Sequence, residues 1–224
     1  KRHRQRLAAI LHDCGARVAL GDAEVEGVEL LRAVDFAEAA DISPPPGAAG
    51  APCLLQYTSG STAAPKGVVL HARHLRHHLS VLGDDVRRMS IGSTLSWLPP
   101  YHDMGLVLKL LLTLESGIPL TFFSPDHFVQ RPVRWLRAIS RFRAELSGAP
   151  NFAFEHCLRS IRDEELDGLD LSCWRAAPTG AERVRADTLE RFARRFGKWG
   201  FDPTCLMPGY GLAEATLTVT ACPA

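Results

Sequence analysis

The chain has no C-x-x-C pair, no long apolar run and no surplus of either charge, and each absence removes a class of protein. Its six cysteines, Cys14, Cys53, Cys157, Cys173, Cys205 and Cys222, lie scattered. Such spacing fits neither a zinc site nor a disulfide framework, and it points to a reducing, cytoplasmic setting. The longest apolar stretch, Leu106 to Leu114, is broken by Lys109 and is too short to cross a bilayer. The opening KRHRQR does not have the pattern of a signal peptide. Lysine plus arginine number 26 against 25 aspartate plus glutamate, a formal net charge of +1. That balance gives no electrostatic reason to expect nucleic acid as the main partner, and the basic opening reads as one solvated helix face. No internal repeat or low-complexity tract is present.

What is present suffices for a sizeable core: 224 residues, 46% of them hydrophobic, allow one large domain or two small ones. The chain opens without methionine, in what reads as the middle of a helix, and stops at Ala224 soon after a motif. It is therefore expected to be a piece of a longer protein.

Hydrophobic spacing predicts a helix through Leu7, Ile10 and Leu11, ending near Gly15, then a short strand over Arg17 to Leu20. Gly27 to Ala40 reads as a second helix, and Ser43 to Ala51 as an extended connector rich in proline, glycine and alanine. His71 to Leu82 is expected to be helical. It carries His71, His74, His77 and His78, which read as a solvated face rather than a metal site because no carboxylate or cysteine accompanies them. Strands are predicted at Thr94 to Leu98, Pro119 to Phe123, Leu171 to Ala177 and Cys205 to Met207. Helices are predicted at Met104 to Leu114, Pro132 to Arg143, Phe152 to Arg162 and Val184 to Phe196. This alternation implies an α/β fold with a largely parallel sheet, whose ligands gather at loops beyond the strand ends.

The most informative stretch is Cys53 to Ala72. An apolar, β-prone lead-in (Leu54, Leu55, Tyr57) enters Thr58-Ser59-Gly60-Ser61-Thr62, where small residues let backbone N–H groups turn inward around an anion. Lys66 follows at a distance that brings its ammonium toward the same anion, and Pro65 stiffens the approach. A Walker loop would need glycine before that lysine, a hydroxyl after it and a helix next. Here the neighbours are Pro65 and Gly67, and Val68 to Leu70 reads as a strand.

TSGSTAAPKG resembles the phosphate-binding signature of the adenylate-forming superfamily, which includes acyl-CoA synthetases, luciferases and the adenylation domains of peptide synthetases. SWLPPYHDMGLV and YGLAEATLTVT resemble the fatty acyl-AMP ligase branch more narrowly. The resemblance implies that Thr58, Ser59, Gly60, Ser61, Thr62 and Lys66 grip the ATP phosphates, with Lys66 supporting the departing pyrophosphate. It implies that Glu214 ligates Mg²⁺ and that Tyr210 stacks on adenine beside Gly211. Gly180, Ala181 and Glu182 would line the adenine pocket, where Thr179 departs from the asparagine frequent in the family. Ala213 stands where many relatives carry threonine, as it commonly does in fatty acyl-AMP ligases. His102, Asp103 and Met104 resemble the turn at the acyl entrance, with His102 contacting the carboxylate or α-phosphate and no relay between His102 and Asp103. Pro150 and Asn151 would flank the acyl tunnel.

The implied reaction is fatty acid plus ATP to acyl-AMP and pyrophosphate, followed by transfer to the phosphopantetheine of an acyl carrier protein. A CoA ligase sharing the first half-reaction and a catalytically silent adenylation-fold module are the alternatives. The family's ribose-binding aspartate, hinge and C-terminal domain with its catalytic lysine would lie beyond Ala224. The chain is therefore expected to be part of the family's large N-terminal domain, mostly parallel sheets layered with helices, and inactive by itself.

Overall fold

The computed structural model describes residues 2–20, 28–31, 50–57 and 66–222. They fall into two units, Lys1–Ala72 and Arg73–Ala224. In the first, helix α1 (Arg2–Cys14) stops at Gly15, whose φ of +62° suits a residue without Cβ and whose N–H donates to the Leu11 carbonyl at 3.0 Å. Strand β1 (Val18–Leu20) then pairs in parallel with β2 (Glu29–Leu31). This corrects the helix expected from Gly27. Pairing across the strands gives Glu29 N–H a partner in Arg17 O at 2.9 Å, and such tertiary pairing overrides a weak helical pattern. The rest of that expected helix, 32–40, and most of the connector, 43–49, lie outside the described residues.

Strand β3 (Pro52–Tyr57) pairs antiparallel with β4 (Gly67–His71), Tyr57 opposite Gly67. A strand, and not a helix, thus follows the glycine-rich stretch. Tyr57 donates its hydroxyl to Asp13 at 2.5 Å, tying β3 to α1. That bond to a carboxylate pushes the phenol up to about 12.

The second unit contains helix α2 (Ala72–Arg88) from Arg73 onward, then strands β5 (Thr94–Ser96), β6 (Leu120–Phe122), β7 (Ala177–Thr179), β8 (Leu206–Gly211) and β9 (Thr218–Ala221). Parallel bridges at Leu146 connect Thr94 on one side with Ala176 on the other. The spatial order is therefore β6, β5, the Leu146 segment, β7, β8, β9, parallel throughout except at β9. The predicted α/β class with a mostly parallel sheet is borne out.

From β5 the chain crosses to β6 on one side and returns to Leu146 on the other. The crevice beyond the ends of β5 and the Leu146 segment is thus the point where strand order reverses, which is where open α/β sheets bind ligands.

The β5–β6 crossover is helical but irregular: α3 (Asp103–Gly105), a π-helical segment Leu106–Leu111, then α4 (Leu112–Ser116). The uniform apolar run predicted a plain helix. Gly105 is required there, because a Cβ would meet the Pro99 carbonyl oxygen at 2.1 Å. Helix α5 (Pro125–Gln130) was not legible as periodicity; it starts where Ser124 accepts from Asp126 N–H at 3.3 Å and Pro125 presets the first turn. Helix α6 (Val133–Phe142) buries Val133, Leu136 and Ile139, the spacing that predicted it. Helices α7 (Asn151–Ser160) and α8 (Ala186–Phe196) follow as expected and are joined by Arg191 to Glu155 at 2.6 Å.

The strand expected over Leu171 to Ala177 begins only at Ala177. Leu171 to Trp174 forms a turn, closed by Trp174 N–H to Leu171 O at 2.9 Å, from which both side chains enter the core. A polar knot holds the centre: Trp135 Nε1–H donates to Ser147 Oγ at 2.8 Å, Ser147 Oγ–H to Leu95 O at 2.9 Å, and Trp174 Nε1–H to Ser147 O at 2.8 Å.

Candidate active site

A cleft of about 120 Å³ opens over the sheet in the second unit. Helix α2 contributes Leu82 and Val86, the turn after it Met89, and the irregular crossover Met104, Leu108 and Leu112. The strand ends contribute Thr179, Gly180, Ala181, Tyr210 and Gly211. Apolar side chains thus meet a backbone-rich, polar edge, the usual composition of a small-molecule site.

At that edge Thr179 is 1% exposed and its Oγ1 has no hydrogen-bond partner among the described residues. A buried orphan of this kind is costly unless a ligand completes it. Tyr210 is 63% exposed and presents an open ring face for stacking. Gly211 beside it tolerates no side chain, because a Cβ would lie 1.9 Å from Leu217 O. Both Tyr210 and Gly211 belong to β8 itself, which runs past the strand expected over Cys205 to Met207. Ala181 and Thr216, neither of them glycine, have φ of +64° and +71°. Backbone strain of this kind costs about 1–3 kcal/mol per residue and concentrates at functional sites.

Glu214 stands on the 3₁₀ turn Ala213–Ala215 between β8 and β9, exposed and without a hydrogen bond or ion pair among the described residues. No group of three or more His, Cys, Asp or Glu among those residues is placed to hold a metal. A single free carboxylate fits Mg²⁺, which takes one or two protein oxygens and completes its shell with water and phosphate.

His102 and Asp103 follow β5, and their side chains meet: Nδ1 to Oδ1 is 2.7 Å. The two neighbouring side chains thus pair directly. Met104 N–H approaches both His102 Nδ1 at 3.2 Å and Asp103 Oδ1 at 2.7 Å. One ring nitrogen cannot donate to the carboxylate and accept from the amide together, so the shorter pair decides: Nδ1–H donates to Asp103, and Met104 N–H does too. His102 Nε2 is then the nitrogen left for a ligand. The Asp103 bond raises the His102 pKa against the opposing effect of burial. Burial pushes the Asp103 carboxyl up, but the bond and charge of His102 and the Met104 amide hold it below the usual carboxylate value.

Other expected residues have structural partners. Glu182 Oε1 accepts from Phe152 N–H at 2.6 Å, at the start of α7. Asn151, 6% exposed, accepts from Arg185 N–H at 2.9 Å. These bonds pin the loop between β7 and α8 to the start of α7, and neither side chain lines the cleft. Pro150 precedes α7 in extended conformation. Lys66 is exposed, immediately before β4 in the first unit, whereas Thr58, Ser59, Gly60, Ser61 and Thr62 lie outside the described residues. The histidine face is not uniformly solvated: His78 is half-buried, and its Nε2 accepts from Thr218 N–H, on β9, at 3.2 Å. In the sequence Thr179 stands out only as a departure beside Gly180, His78 only as one of four spaced histidines, and Lys109 only as the one charge inside an apolar run.

The model of the family described as AMP-binding enzyme matches residues 3–224. The medium-chain-fatty-acid–[acyl-carrier-protein] ligase JamA of Moorena producens is 50% identical over 166 residues, 74% of this chain and 28% of that protein. The 4-hydroxyphenylalkanoate adenylyltransferase of Mycobacterium marinum is 43% identical over 204 residues, 87% of this chain and 31% of that protein. The chain thus spans under a third of the length of both relatives. The crystal structure of a fatty acyl-adenylate ligase from Legionella pneumophila, in complex with acyl adenylate and pyrophosphate, superposes with a TM-score of 0.88 at 35% identity, over 96% of this chain and 40% of that one. With the family model matching nearly every residue and the fold agreeing, the chain belongs to the AMP-binding enzyme family, as its three motifs implied.

Proposed function

We propose that the protein containing this chain activates a fatty acid: the carboxylate attacks the α-phosphorus of ATP, pyrophosphate leaves, and acyl-AMP forms. The observation that carries this reading is a single cleft walled by Met104, Leu108, Leu112, Leu82 and Val86 that runs up to Thr179, Tyr210 and Gly211. Its apolar walls suit an alkyl chain, and its polar edge suits a nucleotide.

Two anions must be held in line while charge moves to the leaving group, so positioning and positive charge supply the catalysis. Tyr210 would stack on the adenine, and the Thr179 hydroxyl would bond its edge. His102, whose protonated form Asp103 favours, would direct Nε2 at the carboxylate or the α-phosphate. Thr58 to Thr62 and Lys66 would hold the β- and γ-phosphates, with Lys66 countering the charge of departing pyrophosphate. Glu214 would hold Mg²⁺, which neutralises phosphate charge when bound. The acceptor of the acyl group is the phosphopantetheine of a carrier protein. The chain itself is part of the N-terminal domain of that enzyme, working in the cytoplasm.

The test is mass spectrometry of the products that the complete protein forms from a fatty acid, ATP and Mg²⁺ with free CoA present. Accumulated acyl-AMP that ignores CoA is expected. Acyl-CoA would replace the carrier protein by CoA, and absence of both products would refute the adenylation reading.

A further inference from the structure

The face of α2 that lines the cleft also reaches the edge of the sheet. His78 lies one helical turn before Leu82 and two before Asp85, and both of those line the cleft. His78 Nε2 accepts from Thr218 N–H, on β9, at 3.2 Å. A backbone amide only donates, so this ring is neutral and carries its proton on Nδ1. Burial, and after it the neighbouring His77, lowers the His78 pKa and keeps the accepting lone pair free.

The amide that His78 holds closes a strained turn. Between β8 and β9, Leu212 N–H donates to Leu217 O at 2.8 Å, Ala215 N–H to Leu212 O at 3.1 Å and Thr216 N–H to Ala213 O at 2.9 Å. Thr216, buried with φ of +71°, keeps a conformation that persists only where its surroundings impose it. The Leu217–Thr218 peptide is trans, so its carbonyl and its N–H point in opposite directions. The carbonyl meets Leu212 N–H and lies close against Gly211, while the N–H meets His78. One peptide plane is thus gripped from β8 on one side and from α2 on the other. Tyr210 precedes this turn on β8, and Glu214 stands on it.

We propose that His78 is a positioning residue of the nucleotide site: by holding Thr218 N–H it fixes the turn that presents Tyr210 to the adenine and Glu214 to the phosphate-bound cation. This rests on the adenylation reading above. His78 does not itself line the cleft. Losing its bond loosens the nucleotide end and leaves the alkyl end, walled by Met104, Leu108 and Leu112, in place.

The experiment compares the complete protein with its His78→Met and His78→Gln variants by pyrophosphate release. Methionine has a similar length and offers no comparable acceptor, whereas glutamine Oε1 stands as many bonds from Cα as Nε2 does. In His78→Met the KM for ATP should rise about three- to tenfold, the scale of one net hydrogen bond, with the fatty-acid KM within about twofold of the parent. His78→Gln should restore the ATP KM. A merely structural role would lower the active fraction and move neither KM. An unchanged ATP KM in His78→Met, a parallel rise in both KM values, or a glutamine variant no better than methionine overturns the proposal. If His78→Met does not fold, hydrogen exchange of the parent decides: coupling is reciprocal, so AMP must slow exchange of the Thr218 amide, and an unchanged rate overturns the proposal. If no acid releases pyrophosphate, the adenylation reading fails separately, and calorimetry of AMP takes the place of KM. Equal AMP affinity in parent and His78→Met, or no AMP binding by the parent, then overturns the role of His78.

Discussion

Replacing Ser147 by alanine removes one oxygen from the centre of the second unit. The hydroxyl is fully buried; it accepts from Trp135 Nε1–H at 2.8 Å and donates to Leu95 O at 2.9 Å. Trp135 is itself 0% exposed, so no water can replace the lost acceptor and the indole N–H is left orphaned. Leaving a buried donor unmet costs about 1–3 kcal/mol. For a chain of this size that corresponds to a fall in Tm of roughly 2–12 °C. Thermal unfolding followed by circular dichroism measures it, with urea unfolding as a check on the slope. Trp135→Phe removes the other partner and adds a packing defect, so the double variant should lie below the sum of the singles by about 0.5–3 kcal/mol. A Ser147→Ala protein that melts with the parent, or a strictly additive double variant, would refute the view that this knot aligns β5, the Leu146 segment and α6.

Four further outcomes follow from the site. Asp103→Asn removes the charge that raises His102, so the imidazole pKa, read by NMR titration, should drop. The sign is that of a raised histidine: the pair's stabilisation is fully present below the unfolded value of about 6.5 and is lost as pH rises through the folded pKa. Gly211→Ala drives a methyl into Leu217 O and should abolish AMP binding in calorimetry while the Ser147 knot keeps the fold cooperative. In the complete protein, Lys66→Ala and Glu214→Ala should slow adenylation more than they weaken fatty-acid binding, because they act on the leaving pyrophosphate and its cation; parental rates in both would remove them from the site. The isolated chain should form no acyl-AMP, and mass spectrometric detection of that product would contradict this.

Much of the site is ordinary chemistry in unexpected hands. Glu182 and Asn151, which the family resemblance assigns to ligand contact, spend their side chains fastening the loop after β7 to the start of α7. Their contribution to binding would pass through the backbone they position. His78, one histidine of four in a short stretch, bonds β9. Nothing in its local spacing distinguishes it from His77, because the distinction depends on a strand 140 residues away.

Local pattern alone determined the helices with clear apolar stripes, such as Val133, Leu136 and Ile139 of α6, because a 3.6-residue repeat must present one face to a core wherever that core lies. It also determined the α/β class, through alternation of strands and helices, and the family, through three ordered motifs. Tertiary structure decided the rest. Glu29–Leu31 became a strand because β1 was there to pair with it, and Leu171 to Trp174 became a turn because the core needed their side chains more than the sheet needed their backbone. The close approach of the Pro99 carbonyl to Gly105 at the start of the crossover is a contact that no periodicity encodes. Burial, too, is a property of the assembled unit: one lysine in an apolar run is legible as a charge, but only packing buries its Nζ without a hydrogen-bond partner among the described residues.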